Sequence, residues 1–153
     1  MFARTSVFYF ADTDSFVTGR RYETLEHAAD VMVRCTGVNL EECFENAAYA
    51  MYDQTVDADS IEHSVEKEIR VSGEDDEERL YSFLSELLFV TDCDSMVFNS
   101  FKVSFDGKDV LCRACGEPLD VKKHHARAEI KAVTYHMLSV DRNAPSVTVI
   151  FDV

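Results

Sequence analysis

Apolar residues recur at helical spacing in two places. Leu40, Phe44, Ala47, Ala48 and Met51 fall at i, i+4, i+7, i+8 and i+11, which gathers them into one stripe and predicts a helix. Asn39 stands before that stripe as an N-cap, with Glu42 three residues on, as in a capping box. Leu80, Phe83, Leu84, Leu87 and Leu88 form a second stripe, introduced by the five acids Glu74 to Glu78. Negative charge at a helix N-terminus complements the macrodipole, so the acidic run has a structural explanation and need not be a metal cluster.

Elsewhere the period falls to two. Val65, Ile69 and Val71 alternate with Glu66, Glu68, Arg70 and Ser72. Phe101, Val103 and Phe105 do the same, and Asp106-Gly107 reads as a turn into a strand near Asp109–Cys115. Two more β segments are expected over Glu129–Asp141 and Ser146–Asp152. The predicted order is β-β-α-β-α-β-β-β-β with hairpin-sized links. It implies α+β architecture, antiparallel sheet covered by two main helices, and not a doubly wound parallel sheet.

At 153 residues the chain has the length of one domain. Gly19 with Arg20 and Arg21 marks a boundary, so residues 1–19 read as an N-terminal extension that no pattern requires to be ordered, and 20–153 as the folded unit. Apolar residues make up 46 % of the chain, with 11 Phe and 6 Tyr, too many for a disordered protein. The net charge of −14 argues against a protein that grips RNA or DNA through a broad basic groove, or that binds an anionic membrane. No run has the ~18 apolar residues of a membrane span. The apolar stretch Ser6 to Ala11 is short for a signal peptide and is followed at once by Asp12 and Asp14, which also disfavour a transit peptide. Five cysteines without repeated spacing suggest reduced thiols in a cytoplasmic or nuclear protein.

Several residues are candidates for chemistry. Cys112 and Cys115 form a single C-x-x-C, with no second pair to complete a zinc site. Lys122, Lys123, His124, His125 and Arg127 form one basic cluster, either a solvated loop or a contact to phosphate or an acidic partner. His27 and Asp30 are a weak pair, explained equally well by hydrogen bonding within a turn. The last strand puts Val147, Val149 and Phe151 on one face and leaves Asp152 on the other with Ile150. An acid there, beside main-chain oxygens, offers the hard ligands that calcium and magnesium take. Glu86 flanks the second apolar stripe, while Lys131 and His136 fall on opposite faces if Glu129–Asp141 is a regular strand.

Four blocks in order resemble the archease family: Y-E-T-L-E-H-A-A-D-V (Tyr22 to Val31), L-E-E-C-F-E-N-A-A-Y-A-M-Y-D (Leu40 to Asp53), S-F-L-S-E-L-L-F (Ser82 to Phe89), and the pair E-I-K-A-V-T-Y-H (Glu129 to His136) with V-I-F-D-V (Val149 to Val153). The resemblance runs from about Arg20 to the last residue. The chain departs from the family pattern at Glu26, usually Asp, at Ala29, usually Thr, and at Val153, often Ile. The loss of the threonine hydroxyl bears on how a neighbouring acid is oriented.

The resemblance implies a non-enzymatic accessory factor of the RtcB-type RNA ligase of tRNA splicing, promoting guanylylation of the ligase's active-site histidine and multiple turnover. It implies a metal site, calcium most often, on Asp30, Asp152 and the main-chain oxygen of Val153, with Glu86, Lys131 and His27 as site neighbours. The ligase is then the partner, and tRNA is met only through it. Two alternatives stand beside this reading. One is a chaperone-like modulator of a tRNA methyltransferase. The other is a stand-alone metal-dependent phosphoesterase using Asp30, Asp152, Glu86 and His27. If Asp30 and Asp152 do meet, the first β segment and the last must lie side by side.

Overall fold

Side-chain caps fix where both helices begin. Helix α1 (Leu40–Thr55) starts where the Asn39 Oδ1 accepts the Glu42 amide at 2.9 Å, and Glu42 Oε1 in turn accepts the Val38 amide at 2.7 Å. Helix α2 (Asp76–Asp94) repeats the device: Asp75 Oδ1 accepts the Glu78 amide and Glu78 Oε1 accepts the Glu74 amide. The acidic run is therefore the N-cap and first turn of α2, as its position in the sequence implies. The computed structural model describes residues 21–25 and 30–153. Expectations for residues 1–20 and 26–29, including the extension and His27, lie outside the described residues.

Among the described residues seven strands accompany the helices: β1 (Glu23–Leu25), β2 (Val31–Thr36), β3 (Val65–Ser72), β4 (Met96–Asp106), β5 (Asp109–Pro118), β6 (Ala132–Asp141) and β7 (Ser146–Asp152). They form two antiparallel sheets, one in the order β1-β2-β7-β6 and the other β3-β5-β4. The fold is the expected α+β, and the element order matches the sequence pattern.

Each helix packs against both sheets. α1 lies on β2, β7 and β4, and α2 on β6, β3, β4 and β5. This explains why α1 is buried around more of its circumference than its one stripe requires, with Tyr49, Ala50 and Tyr52 buried as well as Phe44 and Met51. The aromatic centre joins the layers. Phe44 of α1 stacks on Phe83 of α2 at 6.0 Å and meets Phe105 of β4 edge-on at 5.1 Å, while Tyr52 stacks on Phe101. Val33, Val147, Val149 and Phe151 close the core from the first sheet.

Two irregularities were not visible in the alternation. β4 bulges between Phe98 and Ser100, and the Asn99 amide nitrogen donates to the carbonyls of Ala58 and Ile61 at 2.8 and 3.0 Å, pinning the bulge to a single 3-10 turn, Ala58–Ser60. β6 is the other: its register against β7 shifts between Thr134 and Ser139, so Glu129–Asp141 is not one regular strand and the face assignment of Lys131 and His136 does not follow from odd and even positions.

The β4 bulge has a close partner in Gly116, where a Cβ would fall 1.8 Å from the Val97 carbonyl oxygen. Gly116→Ala is expected to lower stability by ~1–3 kcal/mol, read as a lower urea midpoint at unchanged slope.

Candidate functional site

The site is assembled by strand register. β2 and β7 pair with Val31 opposite Phe151 as the last pair, which leaves Asp30, just before β2, and Asp152, at the end of β7, at the same end of the sheet. On its other side Asp152 faces Ala132, the first residue of β6. Asp152 and Ala132 thus form one row, and Asp30 lies at the same end of the sheet. Phe151 is fully buried against the helices, so alternation turns Asp152 to the far face with Ile150. Asp30 and Asp152 are half-buried.

The end of the row is tied by main chain. The Lys131 amide donates to the Asp152 carbonyl at 2.7 Å, one residue off the Ala132–Asp152 register. Lys131 directly precedes β6, and Val153, whose side chain is exposed, directly follows β7. Four of the sequence candidates, Asp30, Lys131, Asp152 and Val153, therefore share one end of the first sheet.

Glu86 is placed differently. Tyr81 marks the side of α2 that faces β6, because its ring stacks on Tyr135 at 4.4 Å. Five residues further along a helix is a rotation of ~140° away from that side. Glu86 instead shares a flank with Arg79, whose Nε donates to the Lys108 carbonyl in the β4–β5 turn. Helical rotation thus sets Glu86 on the Arg79 flank of α2 and away from the Tyr81 flank that meets β6.

Asp30 and Asp152 bring two carboxylates to one end of the sheet. With a neighbouring main-chain oxygen the donors are all hard oxygens, which fit calcium or magnesium and not a soft metal. Among the described residues no third histidine, cysteine or carboxylate completes a metal-holding group. An ion held by Asp30 and Asp152 would keep most of its coordination positions for water or for another molecule.

The remaining candidates have structural work. Cys112 is buried, and burial pushes its thiol up to about 12, so it is an inert thiol. His124 is the one buried polar side chain among the described residues, which its place in a basic cluster did not suggest. Its Nδ1 accepts the Asp120 amide at 3.0 Å, so Nε2 carries the proton and donates to Glu117 at 2.7 Å. Glu117 also takes Lys123 and the Glu62 amide. Arg127 Nη2 donates to the Val56 carbonyl and its amide to the Thr55 carbonyl, supplying the cation that the last turn of α1 lacks. The basic cluster is a strap across the end of α1.

Sequence reading also missed a polar recess between α1 and the β4 bulge. There Tyr49 donates to Asp59 at 2.6 Å, Arg21 lies over the Tyr49 ring at 4.1 Å, and His63 bonds Asn99 at 2.5 Å. These residues are scattered along the chain and share no motif, so no sequence signal gathers them.

The model of the archease protein family matches residues 22–153. The archease of Pyrococcus furiosus is 46 % identical over 127 residues, covering 80 % of this chain and 89 % of its own. That of Sulfurisphaera tokodaii is 36 % identical over 124 residues, with the same coverage. Among solved structures, a Methanobacterium thermoautotrophicum protein determined in solution superposes with a TM-score of 0.76 at 34 % identity, covering 87 % of this chain and 99 % of that one. A Thermotoga maritima archease described as a possible chaperone shares the fold, with a TM-score of 0.59 at 20 % identity, covering 86 % of this chain and 96 % of that one.

The strap gives a pH test. The Glu62 amide, then His124 and Lys123, hold the Glu117 carboxyl down at about 2 against an ordinary 4.5. A carboxylate lowered in the folded state stabilises above its unfolded pKa and loses that contribution as pH falls through the folded value. Stability should therefore decline between pH ~4.5 and ~2, and Glu117→Gln should flatten that part of a urea-midpoint profile.

Proposed function

The chain belongs to the archease family, and from that footing we propose that it is a metal-binding accessory factor of an RtcB-type RNA ligase. In this reading it is not itself the ligase. It promotes guanylylation of the ligase and its repeated turnover in tRNA splicing. The observation that supports this most is the β2–β7 pairing, which brings Asp30 and Asp152 to the same end of a sheet.

Asp30 and Asp152 would hold the ion, calcium by the resemblance, with the Val153 main-chain oxygen beside them. Bound there, the ion supplies a positive centre that can orient an oxygen of a phosphate or of a partner's side chain. The chain's own residues do the positioning. The Lys131 amide fixes the Asp152 main chain, and pairing with β7 fixes the end of β2. The net charge of −14 leaves contact with RNA to the ligase.

A second reading, a chaperone-like modulator of a tRNA methyltransferase, is favoured only by the description of the Thermotoga maritima protein as a possible chaperone. Co-purification separates the two by which RNA enzyme is retained.

Single-turnover guanylylation of the ligase is expected to speed up when this protein is added. Asp152→Ala, with unchanged circular dichroism, should lose that stimulation, and calcium affinity by calorimetry should fall ~10-fold or more. Full stimulation by Asp152→Ala would sink the proposal. So would turnover of a simple phosphoester with metal and no ligase present.

A further inference from the structure

The irregular edge of the first sheet presents a surface that the candidate metal site does not explain. β6 is an edge strand, and its ladder with β7 breaks after Thr134 and resumes at Ser139. Thr134 faces Ile150 and Ser139 faces Thr148, so five steps along β6 answer two along β7, and three residues are additional. Met137 takes a left-handed φ of 58° to allow this, a conformation few non-glycine residues adopt. The bulge spoils the edge for strand addition. It also pushes Tyr135 and Met137 outward, 51 % and 55 % exposed.

The Tyr135 ring is not loose. It stacks on Tyr81 of α2 at 4.4 Å with the planes 23° apart, so two aromatic faces are held together at the surface. The first turn of α2 surrounds them with carboxylates. Asp75, Glu77 and Glu78 are near enough to act on the Tyr135 phenol. Each accepts a main-chain amide: Glu78 for Asp75, Val140 for Glu77, Glu74 for Glu78. None has a cationic partner among the described residues, because both nearby arginines, Arg79 and Arg142, are taken by Asp76.

A paired aromatic face ringed by carboxylates without cations fits an arginine side chain: the guanidinium stacks on the ring and its N–H groups reach the acids. We propose that the Tyr81–Tyr135 face is a docking surface for an arginine-bearing segment of a partner protein. The charge complementarity selects this occupant. Phosphate would be repelled by the same carboxylates, and a second copy would set acid against acid. Tyr135 follows Thr134, two pairs along the ladder from Asp152. A partner seated here lies along the edge that leads to the end of the sheet holding Asp30 and Asp152. The proposal stands without the ligase reading, since it concerns the surface and not the partner's activity.

The probe is a short peptide of alternating arginine and glycine, compared with the same peptide carrying citrulline, which keeps the shape and removes the charge. The readout is chemical-shift change in the tyrosine ring resonances of the full chain. The arginine peptide should shift Tyr81 and Tyr135, and the citrulline peptide should bind ~10-fold more weakly or not at all. Tyr135→Ala and Glu78→Gln, the latter keeping an oxygen to accept the Glu74 amide, should each weaken binding several-fold with unchanged circular dichroism. Glu66→Gln, on an exposed strand face of the other sheet, should leave it unchanged. Equal binding of both peptides, equal loss in Glu66→Gln, or undiminished binding by folded Tyr135→Ala would each overturn the proposal. Shifts of the two rings produced by an oligonucleotide instead of the peptide would do so as well. So would dilution-dependent dimerisation that Tyr135→Ala abolishes.

Discussion

The pairing of β2 with β7 is the constraint on which the candidate site depends. These strands come from opposite ends of the described chain, and both helices and the whole second sheet lie between them in sequence. Bringing such distant segments together carries a loop-closure cost that local contacts cannot offset. The return comes from burial: Val33, Val147, Val149 and Phe151 are fully enclosed, and all lie on these two strands. The same ladder that closes the core therefore brings two carboxylates to one end of the sheet. Their proximity follows from the packing of their neighbours and not from any attraction between themselves.

The helices turn this local register into a global one. α1 rests on both central strands of the first sheet and on β4 of the second, so the bulge at Asn99 and the row at Asp152 are referenced to one rigid element. The strap that carries His124 and Arg127 secures the far end of that element. Its polar groups are satisfied almost entirely by main chain and by Glu117, which is the condition for burying an imidazole at all. The candidate site lies at one end of the two central strands of the first sheet. The interior carries aromatic packing and inert thiols.

Much of the fold was legible because its signals are local. Asn39 and Glu42 announced α1, the acids of Glu74 to Glu78 announced α2, alternation located β3 and β4, and the Asp106-Gly107 turn announced β5. The β6 bulge was not legible. Val133, Tyr135 and Met137 alternate with Thr134 and His136 as in a regular strand, so nothing in the pattern marks the additional residues. His124 was misleading for the opposite reason: two lysines beside it suggest solvent, yet the turn directs the ring inward against Glu117. For the candidate site, the sequence named Asp30 and Asp152 but could tie them only through a condition on strand order, which the β2–β7 ladder meets. Glu86 shows the limit of stripe reasoning. A residue beside an apolar stripe can lie on either flank, and only the contacts of Tyr81 and Arg79 tell which.

The ladder also dictates how such a site can fail in heredity. Asp152 faces outward only because an unbroken alternation leads to it from Ser146. A side-chain change at Val153 leaves a main-chain oxygen where it was. A single codon gained or lost within Ser146–Asp152 does not, because a one-residue slip exchanges the two faces of a strand. The acid would then be turned into the core and Phe151's place taken by a charge. The lineage can thus drift in residue identity around this row far more freely than in length, and the spacing of β7 is the inherited quantity that natural selection would see.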